Sequence, residues 1–181
     1  GGRNYFIACT LARKKQTAAD WSDPGSIWVG EYTAEGLVGL RALKEGLTKN
    51  HGYSRQEIGG IMRGLVTCEE GAFEVTPPQT PDGEWAVRQF MDWPISDISA
   101  IDIDGDGELE FATIESFHGK YFRVYKMIDG KFEKIYEHPQ VTEFYHVVVG
   151  TRLAGKPVFI GGCRRGKQQL FFVHAERNNP L

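Results

Sequence analysis

Several features that would take the chain out of ordinary globular proteins are missing. No apolar run approaches the ~20 residues of a membrane span, so no crossing segment is expected. Cysteine is scarce: Cys9, Cys68 and Cys163 stand far apart, odd in number and without a CxxC pair. That leaves buried reduced thiols as the expectation. Charge of one sign is also lacking. Lys and Arg number 21 against 24 Asp and Glu, net −3, so no overall field draws nucleic acid or an anionic membrane. No N-x-[ST] sequon occurs. Nor does G-x-S-x-G, a Walker loop, a dinucleotide glycine fingerprint or H-E-x-x-H, which removes those enzyme signatures. With 25% charged and 41% hydrophobic residues, the 181-residue chain is neither disordered nor a coiled coil. What it has in quantity is aromatic residues, 12%, and 22 glycines. Large rings with many tight turns favour an all-β chain.

Self-similarity is the next signal. Shifted by 48 positions, Glu110–Ile114 falls on Val158–Gly162, and Phe122–Tyr125 falls on Leu170–Val173. Phe6–Cys9 and Leu65–Cys68 look like two more copies of the first of these strands, with partners at Ser26–Tyr32 and Ala72–Val75. Repeats of about 40–50 residues made of short strands point to a β-propeller of four-stranded antiparallel blades. The copies cover about 1–33, 53–90, 96–137 and 145–181, within one domain over 1–181. The third reads as a full blade, with strands A near Ser96–Ile101, B near Glu110–Ser116, C near Tyr121–Ile128 and D near Phe132–Tyr136. Asp129-Gly130 is its hairpin turn. The first copy starts at B and the fourth ends at C. The chain is therefore expected to be a fragment of a larger ring, a small closed ring, or half of an assembled one. Leu37, Leu40, Leu43 or Lys44, and Leu47 have helical spacing, which predicts a short helical insertion over 34–50, closed by Gly52. The proline-rich stretch from Thr76 to Gly83 reads as a loop.

One motif is specific. Asp102, Asp104, Asp106, Glu108 and Glu110 alternate through a glycine-containing turn. Alternation lets several carboxylates converge on one point, where they repel unless a cation neutralises them; hard oxygens suit calcium. An EF-hand is excluded, because position 12 is Thr113 instead of a bidentate Glu and the flanks are strand-like. The pattern D-x-D-G-D-G-x-x-[DE] between two strands of a repeat resembles the FG-GAP/VCBS calcium-binding β-propellers, such as the integrin α-subunit head. The resemblance implies a calcium ion held in the A–B loop. Asp102, Asp104, Asp106 and Glu110 would give side-chain oxygens and Glu108 its backbone carbonyl. In copy four the same offset places Gly150, Arg152, Ala154 and Val158 there, and copy two has Gln56, Ile58, Gly60 and Gly64. One metal site is therefore expected, as a structural brace.

Blade topology places the B–C and D–A loops on the face opposite that loop. There the chain gathers Arg13, Lys14, Lys15 and Trp21; Phe117, His118 and Lys120; and Arg164, Arg165 and Lys167. His51, Tyr53, Trp93, His138, Tyr145 and His146 come from the D–A connections. Glu69 and Glu70 interrupt the basic surface. The expected binding residues are His118, Lys120, Arg164, Arg165, Lys167 and Trp21, and the expected partner is an acidic carbohydrate or an acidic protein segment. Nucleic acid is not expected, while an oligomer or a missing remainder of the ring is. The rival expectation is a propeller-scaffold polysaccharide lyase or hydrolase, with His51, Tyr53 or His118 as base and Arg164 as the cation that neutralises a substrate carboxylate. A purely structural piece without a ligand is the third. Fold alone does not decide among them.

Overall fold

The computed structural model describes residues 3–80, 82–140 and 144–175. They form fifteen β-strands, and no helix occurs among them. No helix long and apolar enough to cross a membrane is present among the described residues. The chain divides into two compact units, Gly1–Pro94 and Ile95–Leu181.

The first unit holds two sheets. In one, β3 (Asp23–Thr33) is central, pairing with β1 (Asn4–Cys9), with the short β2 (Ala12–Lys14) and with β4 (Gly36–Leu47). The other runs in chain order as β5 (Gly52–Ile58), β6 (Ile61–Cys68), β7 (Gly71–Thr76) and β8 (Ala86–Met91). Alternate residues turn inward from each strand. Ile27 and Val29, Val66 and Cys68, and Phe73 and Val75 thus meet in one core, joined by Leu47.

The second unit repeats the plan. Strands β9 (Asp97–Ile101), β10 (Glu110–Glu115), β11 (Tyr121–Ile128) and β12 (Lys131–Glu137) form a four-stranded antiparallel sheet in chain order. Strands β13 (Tyr145–Leu153), β14 (Lys156–Cys163) and β15 (Leu170–Val173) form a three-stranded one. The core takes Ala112, Ile114, Phe122 and Val124 from one sheet and Tyr145, Val148, Phe159 and Val173 from the other. The 48-residue offset is kept between the second and third strands. Phe111 pairs Tyr125 as Phe159 pairs Val173, and Ala112 pairs Val124 as Ile160 pairs Phe172. It slips between the first and second strands, where Phe111 pairs Ala100 but Phe159 pairs Gly150. The cause is the connection. Strands β13 and β14 are joined by the two-residue turn Ala154-Gly155, φ 48° and 78°. Strands β5 and β6 are joined in the same way by Gly59-Gly60, φ 60° and 75°. Both are the positive-φ turns that suit a strand's twist. Of these three connections, the one between β9 and β10 opens into a longer loop, Asp102–Leu109.

The helical insertion over 34–50 is not present; the segment is strand β4. Gly36, Gly39 and Gly46 hold φ of 114°, 61° and 77°, values a right-handed helix cannot accept. Three register shifts against β3 interrupt the inward-outward alternation of the strand. Leu37 and Leu40 point to solvent and Leu47 is buried, which is no single apolar face. Gly52 opens strand β5 and closes no helix.

Packing in the second unit leaves no room at Gly161. A Cβ there would lie 2.1 Å from the Phe171 ring. That ring is wedged against His138 at 3.8 Å and against Phe122 at 5.1 Å between centroids. Gly161→Ala is expected to destabilise the chain by about 1–3 kcal/mol, the usual cost of overpacking. Urea denaturation of the parent and the variant measures it, and an unchanged midpoint would refute the packing account.

Candidate functional site

Two groups of side chains gather at opposite ends of β10. At its start lies the loop Asp102–Leu109, closed by the pairing of Glu110 with Ile101. Asp102, Asp104 and Asp106 each bring a carboxylate oxygen within 4.8 Å of the others. Backbone amides shape the turn. Asp102 accepts from Gly105 and Gly107 at 2.7 and 3.1 Å, Asp104 from Asp106 at 3.2 Å, and Asp106 from Glu108 at 2.9 Å. Glu110, fully buried, accepts from the Ile103 amide at 2.8 Å. Lys126 enters from β11, directly opposite Glu110 in the ladder. Its Nζ lies 2.6 Å from Asp104, 2.7 Å from Asp106 and 2.9 Å from Glu110. Burial disfavours the Lys126 ammonium, but these three carboxylates outweigh it and hold the amine protonated well above its ordinary range. Burial pushes the Glu110 carboxyl up against the pull of Lys126 and the Ile103 amide. The Lys126 hydrogen bond, joined by the Glu108 amide, draws Asp106 down. The four carboxylates are the right chemistry for calcium, yet three of them, Asp104, Asp106 and Glu110, already surround the ammonium. The donor set therefore does not fit a calcium ion while Lys126 is in place.

The far end of β10 carries the second group. The turn into β11 presents Phe117 and His118, with His118 at φ 47° and its amide donating to Ser96 Oγ at 3.0 Å. The approach to β13 presents Phe144 and His146 on the face opposite the buried Tyr145, as strand alternation requires. The turn from β14 to β15 presents Arg164 and Arg165. Two backbone bonds lock these segments together: the Arg164 amide donates to the Phe144 carbonyl at 2.8 Å, and the Tyr145 amide to Gly119 at 2.9 Å. The rings form a cluster, in which His118 is also 5.0 Å from His146. Phe117 stacks on His118 at 4.0 Å, His118 on Phe144 at 4.4 Å, and Phe144 on His146 at 5.6 Å. The Arg164 and Arg165 guanidinium carbons stand 5.7 and 5.3 Å from the Phe144 centroid. Both arginines are exposed, and neither has a carboxylate partner among the described residues.

Of the expected binding residues, His118, Arg164 and Arg165 come together around Phe144. Lys120 and Lys167 are exposed in the same two turns. Trp21 belongs to the first unit, half-buried under Lys15, whose Nζ lies 3.1 Å from the ring centroid. His51 and Tyr53 are also in the first unit. The His51 amide donates to Thr67, and Tyr53 lines a groove with Arg3, Arg55 and Arg63. Tyr145 is core, and His138 packs flat on Phe171, so neither belongs to the exposed group. Phe144 and Lys126 are the residues that sequence reasoning missed. The alternation Phe144-Tyr145-His146 could have shown Phe144 and His146 sharing a face. Lys126 could have been found by laying β11 against β10 in antiparallel register.

Comparison with family models, with characterised proteins and with solved structures finds no match for this chain.

Proposed function

We propose that the chain is a recognition module built of propeller blades, and that it takes acidic carbohydrate at the Phe144 cluster. Its sheets support the blade reading. Two are four-stranded and follow chain order, while the first corresponds to strands B–C–D of a blade and the last to A–B–C. The observation that carries the binding assignment is the seating of Arg164 and Arg165 over one aromatic ring, without a carboxylate partner among the described residues. Stacking uses the flat of a guanidinium and leaves its N–H edges for carboxylate or sulfate. The neighbouring rings offer apolar surface to a sugar, and exposed Lys120 and Lys167 add charge at the rim. The calcium brace implied by the FG-GAP resemblance has the right donors but no place beside Lys126, so nothing in this function runs through it. The lyase or hydrolase alternative stands second. His118, one of its candidate bases, and Arg164 share the cluster.

The test is calorimetric titration with polygalacturonate and with neutral dextran, at low and high salt. The parent should bind the acidic chain only, and more weakly as salt screens the contacts. Arg164→Ala/Arg165→Ala should lose at least about tenfold in affinity, since a hydrogen bond to a charged group is worth about 1.5–3 kcal/mol. A parent that ignores polygalacturonate, or a double variant that binds as well as the parent, would sink the proposal.

A further inference from the structure

We propose that Lys126 is the resident cation of the Asp102–Glu110 loop, so that the loop is ordered by a lysine tethered to the neighbouring strand and not by a metal ion. Four observations carry this. First, the position of Lys126 is fixed by register. It faces Glu110 across the β10–β11 ladder, beside the end of the loop. Second, its Nζ touches three carboxylates from three different residues at 2.6–2.9 Å, with only 16% of the side chain exposed. Third, the carboxylates at the two ends of the loop are tied to its backbone. Asp102 spends both of its oxygens on the amides of Gly105 and Gly107, and Glu110 gives its second to Ile103. Fourth, the groove beside Asp102 and Asp104 is also lined by Arg152, Lys156 and His174, which further opposes the entry of a divalent cation.

Calcium takes six to eight oxygens at about 2.3–2.6 Å. The Asp104, Asp106 and Glu110 oxygens that would supply them are those around the ammonium, and two cations cannot share that centre. A metal can enter only by expelling Lys126. The acidic repeat and the lysine together then act as a self-contained ion-pair network, and removal of the lysine uncovers the metal site that the sequence pattern suggests.

The inference goes beyond the recognition proposal and does not depend on it, because loop melting and glycan binding are read separately. The experiment is thermal melting in calcium chloride and in EDTA, with direct calcium titration, for the parent, Lys126→Met and Lys126→Arg. The parent should melt at the same temperature in both buffers and show no calcium uptake. Lys126→Met should melt several degrees lower than the parent in EDTA, bind one calcium ion and recover in calcium chloride. Lys126→Arg, which keeps a cation, should remain indifferent to calcium. If Lys126→Met is recovered only from calcium-containing buffer, that result supports the proposal in the same sense. Calcium-dependent melting of the parent would overturn it. So would a Lys126→Met variant as stable as the parent in EDTA, one that calcium leaves unchanged, or a Lys126→Arg variant that takes up calcium.

Discussion

Replacing Arg123 by Met is expected to cost about 3–5 kcal/mol, the penalty for leaving a buried charge without its partner. Arg123 stands in a row across three strands, opposite Thr113 on β10 and Glu137 on β12. Its guanidinium lies 2.5 Å from Glu115 and 2.7 Å from Glu137. Glu115 is 5% exposed and takes a second hydrogen bond from the Thr113 hydroxyl at 2.9 Å. Glu137 would keep Lys134 at 2.8 Å and loses little when Arg123 goes. Glu115 loses its charge partner inside the sheet, so the penalty falls there. The double variant Arg123→Met/Glu115→Gln should regain more than half of the loss, because it removes the stranded charge together with its partner. Urea denaturation of the single and double variants measures both effects. A single variant within about 1 kcal/mol of the parent would show that Glu115 finds water or a proton at little cost.

The second large effect depends on pH. Burial pushes the Asp97 carboxyl up to about 7, against a smaller pull from the Ile98 amide, which donates to it at 3.0 Å. An unfolded aspartate titrates near 3.9. Between those values the folded chain keeps a proton that the unfolded chain has released, so stability falls as pH rises through the window. The contribution is fully present below about pH 4 and lost once the pH passes about 7. Each unit of pH between the two is worth about 1.4 kcal/mol, so the limits differ by a few kcal/mol. Asp97→Asn keeps an oxygen for the Ile98 amide and removes the titration. It should match the parent near pH 4 and exceed it in stability near pH 8. Parallel stability–pH curves for the two proteins would refute the assignment.

Much of the strand layout was legible because antiparallel strands with one buried face alternate strictly. Tyr121–Ile128 is β11 to the residue, and Asp129-Gly130 forms its turn with φ 48° and 78°. The segment 34–50 was misread because its leucines happen to fall three and four apart, whereas positive-φ glycines and register shifts against β3 hold it as a strand with Leu37 and Leu40 exposed. The acidic loop was legible as a cluster of carboxylates, since they are contiguous in sequence. Its counter-charge was not, because Lys126 is sixteen positions beyond Glu110 and reaches it only through pairing of β10 with β11. Arg164, Arg165 and His118 were legible as turn residues on a common face. The ring that organises them was hidden, because Phe144 reads as one more core aromatic until the neighbouring Tyr145 is seen to fill the core.

The chain-order arrangement of the sheets bears on how the protein folds. In β5 to β8, and again in β9 to β12, every strand pairs only with its neighbours in sequence. No pairing within these sheets waits for a distant segment. The entropy of closing each hairpin is that of a short loop, smallest where Gly59-Gly60 and Asp129-Gly130 join the strands. Each sheet can zip from its own turns, one hairpin adding to the last, and such local topologies fold faster than β-structures assembled from remote strands.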